Sequence, residues 1–135
     1  MPVMPTGKMS LLQAMARQEG FYHPGTRPQK NHNPGDLEYK LFARTHGAVG
    51  SDGRFAVFPS DHSGFSCMAD LLLTERYKGL TIRQTVYKWL GYEPDATGNL
   101  PNEPGNYPEA YLAHVCEWTG LLNSEVIDSH LEVPA

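Results

Sequence analysis

The chain has 135 residues, with 40% hydrophobic and 19% charged residues, two cysteines, six histidines and a formal net charge of -4. That length is one domain, 1–135, large enough to bury a core without staples, and the acidic balance excludes a duplex nucleic-acid binder, which needs a basic face. No apolar run approaches the ~20 residues of a membrane span, and Met1 to Lys8 lacks the basic start and apolar centre of a signal peptide, so neither membrane insertion nor standard secretion is expected.

Ser10-Leu11-Leu12-Gln13 has the pattern of a capping box. Leu11, Leu12, Met15 and Ala16 follow at helical spacing, and Gly20 supplies a left-handed stop. Residues 21–38 are rich in breakers (Pro24, Gly25, Pro28, Pro34, Gly35) and read as an irregular loop. Tyr39 to Arg44 and Arg54 to Phe58 read as two short strands around a Gly47–Gly53 turn. Ser60 and Asp61 open a second helix with Phe65, Met68, Ala69, Leu72 and Leu73 as its buried stripe and Gly79 as its end.

Thr81-Ile82-Arg83-Gln84 repeats the capping-box pattern before a third helix carrying Val86, Trp89 and Leu90. Residues 92–107 read as a long loop punctuated by Pro94, Gly98, Pro101, Pro104 and Gly105. Pro108 suits the first turn of a fourth helix that Gly120 closes, and Asn123 or Ser124 would cap a short last helix through Leu131. The expected class is α+β, mainly α, with a small β-hairpin after the first helix.

Three groups of residues carry chemistry. Glu19 stands where propensity alone would put Lys or Arg: the negative end of the helix dipole disfavours its ionisation, and apolar neighbours such as Phe21 and Tyr22 would add desolvation in the same direction. A carboxylic acid kept protonated near neutral pH is what protonation of a glycosidic oxygen requires. Asn31-His32-Asn33-Pro34-Gly35-Asp36 is dense in side-chain amides; Pro34 and Gly35 shape a turn while Asn31 and Asn33 are expected to point into a cleft. Tyrosines 22, 39, 92, 107 and 111 lie at loops or helix starts, where a ring can stack on a pyranose and its hydroxyl still donate; Trp89 and Trp118 read as core. Cys67 and Cys116 read as reduced thiols, and the histidines lack metal-ligand spacing.

The ordered set Glu19-Gly20, Lys30-Asn31-His32-Asn33-Pro34-Gly35-Asp36-Leu37, Phe55 to Pro59, Gly64, and Asn106 with Tyr111 resembles the small lysozyme-like proteins of bacteriophages and prophages. Their pattern runs Glu-Gly, Arg-Asn-Asn-Asn-Pro-Gly-Asn/Asp-Leu, Phe-Ala-Val-Phe-Pro, a helix Gly and a late Asn-x-x-x-x-Tyr; here Lys30 replaces the Arg and His32 an Asn. The match covers about residues 10–120. It implies a lysozyme-like fold, action on the β-1,4 bond of peptidoglycan glycan strands at the bacterial cell wall, and Glu19 as catalytic acid. Expected substrate contacts are Asn31, Asn33, Asp36, Tyr39, Phe58, Asn106 and Tyr111, in a monomer with no metal and no cofactor.

An inverting hydrolase needs a second carboxylate ~6.5–9.5 Å from the acid. Asp36, Glu38 and Asp52 are the candidates, with Asp36 read as a binding residue. Without one, Glu19 alone would give 1,6-anhydro products, as in a lytic transglycosylase. A non-catalytic glycan-binding virion component with the same fold is a further alternative, to which the acidic balance lends weight.

Overall fold

The computed structural model describes residues 2–92, 96–97 and 106–134, without the side chain of Asn106. Its described part is mainly helical, with six α-helices and one two-stranded antiparallel sheet. The class is α+β, mainly α, as expected.

Helix α1 spans Leu11–Gln18. The capping box forms: the Ser10 hydroxyl accepts from Gln13 N, and the Gln13 side chain accepts from Ser10 N. Glu19 is the C-cap residue, and Gly20, at φ 90°, turns the chain out of the helix. The next segment departs from the expected loop. Arg27–Lys30 forms a one-turn helix, α2, because Pro28 sits in its first turn, where no backbone donor is missed.

The strand expected over residues 39–44 is instead helix α3, Leu41–Thr45. Local interactions decide this: the Thr45 hydroxyl donates to Leu41 O, and the Phe42 and His46 rings stack one turn apart at 3.8 Å. The hairpin pairs β1, Gly50–Ser51, with β2, Ala56–Val57, in the register Gly50↔Val57 and Ser51↔Ala56. A further bridge, Glu38↔Phe55, ties the amide loop to its open side.

Helix α4, Asp61–Leu72, begins at Ser60, which caps Ser63 N. It ends at Leu72 rather than near Gly79, and Leu73 is exposed at its C-cap instead of joining the buried stripe. Helix α5, Ile82–Trp89, starts at the expected Thr81–Gln84 box, and α6 is Asn106–Thr119. Most of the expected 92–107 loop lies outside the described residues. The expected last helix is a single 3-10 turn, Ile127–Ser129, because Val126 is held extended in a bridge to Thr81.

The main core joins Leu11, Leu12, Met15 and Phe21 to Phe65, Met68, Leu72, Ile82, Val86, Leu112, Val115 and Ile127, with α1 lying along α6. Ala43, Ala56, Phe58 and Cys67 form a second, smaller core under the hairpin. Both cysteines are free, and burial pushes the Cys67 thiol up to about 12, so it is no thiolate nucleophile. No described helix is long and apolar enough to cross a membrane.

Candidate active site

Glu19 leaves the end of α1 and meets two donors from opposite parts of the chain. The Tyr111 hydroxyl donates to Oε2 at 2.9 Å from α6, and Trp89 Nε1 donates to the same oxygen at 3.2 Å from the end of α5. Among the described residues no donor reaches Oε1. Burial raises the Glu19 pKa above its ordinary value; the two hydrogen bonds oppose the shift, Asp36 adds to it and Arg27 opposes it. Phe21 lies in the main core against Phe65.

Glu19 opens onto a cleft of about 250 Å³. Gly35, Asp36, Leu37 and Glu38 of the amide loop line it together with Leu71, Tyr77, Trp89 and Leu90. Carboxylates and apolar side chains around a carboxyl of raised pKa suit a ring with hydroxyls on its rim and C–H groups on its face.

The amide loop supports this cleft in a way the sequence does not reveal. Asn33 is 0% exposed. Its Nδ2 donates to Leu37 O and Ala56 O, and its Oδ1 accepts from Leu37 N, each at 2.9 Å. It stitches the loop to β2 and has no face toward a ligand, which corrects the expected substrate contact. Asn31 is buried too; its Nδ2 donates to Asp52 Oδ2 at 2.9 Å and its carbonyl accepts from Phe58 N. Phe58 belongs to the hairpin core, and Tyr39 packs against that core. Neither lines the cleft. Tyr111 is 0% exposed and acts on Glu19, not on a substrate. The Asn106 side chain lies outside the described residues.

Of the expected contacts whose side chains are described, only Asp36 lines the cleft. It stands at φ 48° and takes both arms of the Arg27 guanidinium, with Nε at 2.9 Å from Oδ1 and Nη2 on Oδ2. Arg27 Cζ in turn lies over Phe55, 3.6 Å from the ring centre. The other two candidate bases are also engaged. Glu38 is paired with Lys40 and Arg54, which hold its pKa below the ordinary range. Asp52 closes the hairpin turn by accepting from Phe55 N and Arg54 N, and these bonds with that from Asn31 lower its pKa.

Comparison of the chain with protein-family models and with curated proteins returns no match. The site therefore rests on its own geometry.

Two residues the sequence reading assigned elsewhere complete it. Trp89, read as core, holds the acid; its one signal is an indole N–H in the last turn of a helix, a group that needs a partner when buried. Gly35 is the loop residue against the same indole: a Cβ there would sit 3.2 Å from Trp89 Cζ2. Gly64 seats the whole loop on α4, since a Cβ there would lie 2.1 Å from the His32 carbonyl oxygen. Among the described residues no group of three or more His, Cys, Asp or Glu could hold a metal ion.

Proposed function

We propose that the chain cleaves the β-1,4 bond between N-acetylmuramic acid and N-acetylglucosamine in peptidoglycan, with Glu19 as general acid. One observation carries the reading: a half-buried carboxyl with a raised pKa, held by two donors on a single oxygen, lines a cleft. Both Oε2 lone pairs are occupied, so in the neutral acid the proton sits on Oε1. From there it passes to the glycosidic oxygen as the bond to C1 breaks and positive charge develops on the muramic ring. The resemblance to small phage lysozyme-like proteins supports the substrate and, with it, action at the bacterial cell wall.

A second reading concerns the other face of the sugar. Asp36, Glu38 and Asp52 are each bound by cations or backbone donors. That favours Glu19 acting alone, first as acid and then as base, with the C6 hydroxyl of the muramic residue attacking C1 to give a 1,6-anhydro product. Incubating wild type and Glu19→Gln with purified sacculi and weighing the soluble fragments tests both readings. Hydrolysis adds one water to each cleavage, the intramolecular route adds none, and fragments released equally by Glu19→Gln would refute the acid.

A further inference from the structure

Among the described residues three carboxylates line the cleft: Glu19, Asp36 and Glu38. Glu19 keeps one oxygen without a donor, whereas both oxygens of Asp36 are taken. The group that takes them, Arg27, is not part of the cleft lining, and its side chain is 49% exposed against 11% for Asp36. A carboxylate inside the site is thus held from outside it by a cation.

Asp36 is fixed at both ends. Its backbone stands in the left-handed region at φ 48°, and its N–H donates to the carbonyl of the buried Asn33 at 3.0 Å. Its side chain meets a planar fork: Arg27 Nε donates to Oδ1 at 2.9 Å and Nη2 donates to Oδ2. The fork is itself braced, because Arg27 opens helix α2 and its Cζ lies 3.6 Å from the centre of the Phe55 ring. The charges of this pair reach the acid: Asp36 adds to the raised pKa of Glu19, and Arg27 opposes it. A general base for hydrolysis must turn an oxygen toward a water on the face of the sugar opposite the acid and take its proton. The fork occupies one acceptor site on each Asp36 oxygen and sets the direction of those that remain.

Resting on the proposed activity and its intramolecular route, we propose that Arg27 is a positioning residue that sets the product: by clamping Asp36 it withholds a base from the far face of the sugar, so the C6 hydroxyl attacks in place of water. With the clamp in place, the Glu19 proton goes to the leaving oxygen as the bond to C1 breaks. The C6 oxygen then bonds C1 from the side of Glu19, which takes the hydroxyl proton back. Released from Arg27, Asp36 takes a proton from water as the water oxygen bonds C1, and that proton returns to Glu19 through solvent. The first route adds no atom to the fragments, and the second adds one water.

The test resolves by mass the fragments that wild type, Arg27→Gln and the double variant Arg27→Gln/Asp36→Asn release from purified sacculi. Arg27→Lys joins them, because it keeps a charge beside Asp36 without the fork. Circular dichroism melts confirm folding of each variant. Wild type should yield anhydro fragments. Arg27→Gln should raise the ratio of hydrated to anhydro fragments by about tenfold or more, part of the ~10²–10⁴ that a placed general base supplies, and Arg27→Lys should raise it less. The double variant should return to the wild-type ratio, which a merely loosened cleft would not do. Hydrated fragments as the main wild-type product, an unchanged ratio in both single Arg27 variants, or a raised ratio that persists in the double variant would overturn the proposal and leave Glu19 as the acid. Release that is absent from wild type, or equal in Glu19→Gln, fails the acid and the proposal with it.

Discussion

The acid site and the amide loop lie a few residues apart in the chain and follow opposite rules. At Glu19 the fold supplies two donors to one oxygen and leaves the other without a donor among the described residues. In the loop, Asn33 uses both donors and its acceptor oxygen within the protein. Residue types suited to sugars are richer in the loop, yet the site with capacity left over is the carboxyl. A side chain's availability for chemistry is what remains after the backbone around it has been satisfied.

The sharpest way to break that contrast is Glu19→Gln. Its amide oxygen still accepts from Tyr111 and Trp89 while the proton is gone. Turnover of sacculi should fall by at least ~10²–10⁴, with the melt at pH 4 nearly unchanged. The same variant gives a stability test. In the wild type the folded pKa is raised, so the folded state binds more protons than the unfolded one just above the ordinary Glu value; stability therefore falls as pH rises through that window. Chemical denaturation from pH 4 to 8 should show Glu19→Gln gaining on wild type as pH rises. A constant gap would show that the carboxyl is not perturbed by folding.

Asn33→Ala should act on stability rather than on affinity. It removes partners from the Ala56 carbonyl and the Leu37 N–H, while the Leu37 carbonyl still accepts from Ala56 N, and should cost about 3 kcal/mol in urea unfolding, since each unsatisfied buried group costs ~1–3 kcal/mol. A variant of wild-type stability that binds chitooligosaccharide weakly would return Asn33 to the cleft. Gly64→Ala should cost about 2 kcal/mol through forced displacement of the loop from α4, read by the same unfolding series. Trp89→Phe removes a hydrogen bond that lowers the Glu19 pKa, so the alkaline limb of the rate profile, where the active protonated acid is lost, should move to higher pH. The smallest effect is expected from Asp36→Asn. An Asn oxygen still accepts from Arg27, and fragment release should stay within about tenfold of wild type; loss of several orders of magnitude would make Asp36 the base.

Elements whose signals are local were legible. The Ser10, Ser60 and Thr81 caps are each written within four residues, and the structure forms all three. Glu19 was legible because a lone acid before a helix-ending Gly runs against propensity. Its environment was not, since Trp89 and Tyr111 are 70 and 92 residues away and each also fits a plain apolar helix face. Tyr39 to Arg44 misled because its aromatics suit a strand, whereas the Thr45 bond and the Phe42–His46 stack that favour α3 are one-turn interactions without a sequence period. The loop amides misled for another reason. Backbone at His32 and Asp36 enters the left-handed region, at φ 51° and 48°, and a loop so bent takes its own side chains as partners.

The separation of Glu19 from its two donors sets an order of assembly. The amide loop closes on β2 across 23 residues, but the acid acquires its partners only when α1, α5 and α6 have met. Contacts of long sequence separation carry the larger loop-closure entropy and form late. The expected outcome in refolding is that Glu19 gains its raised pKa only once α1, α5 and α6 have docked. Activity regained should track that last kinetic phase and no earlier one.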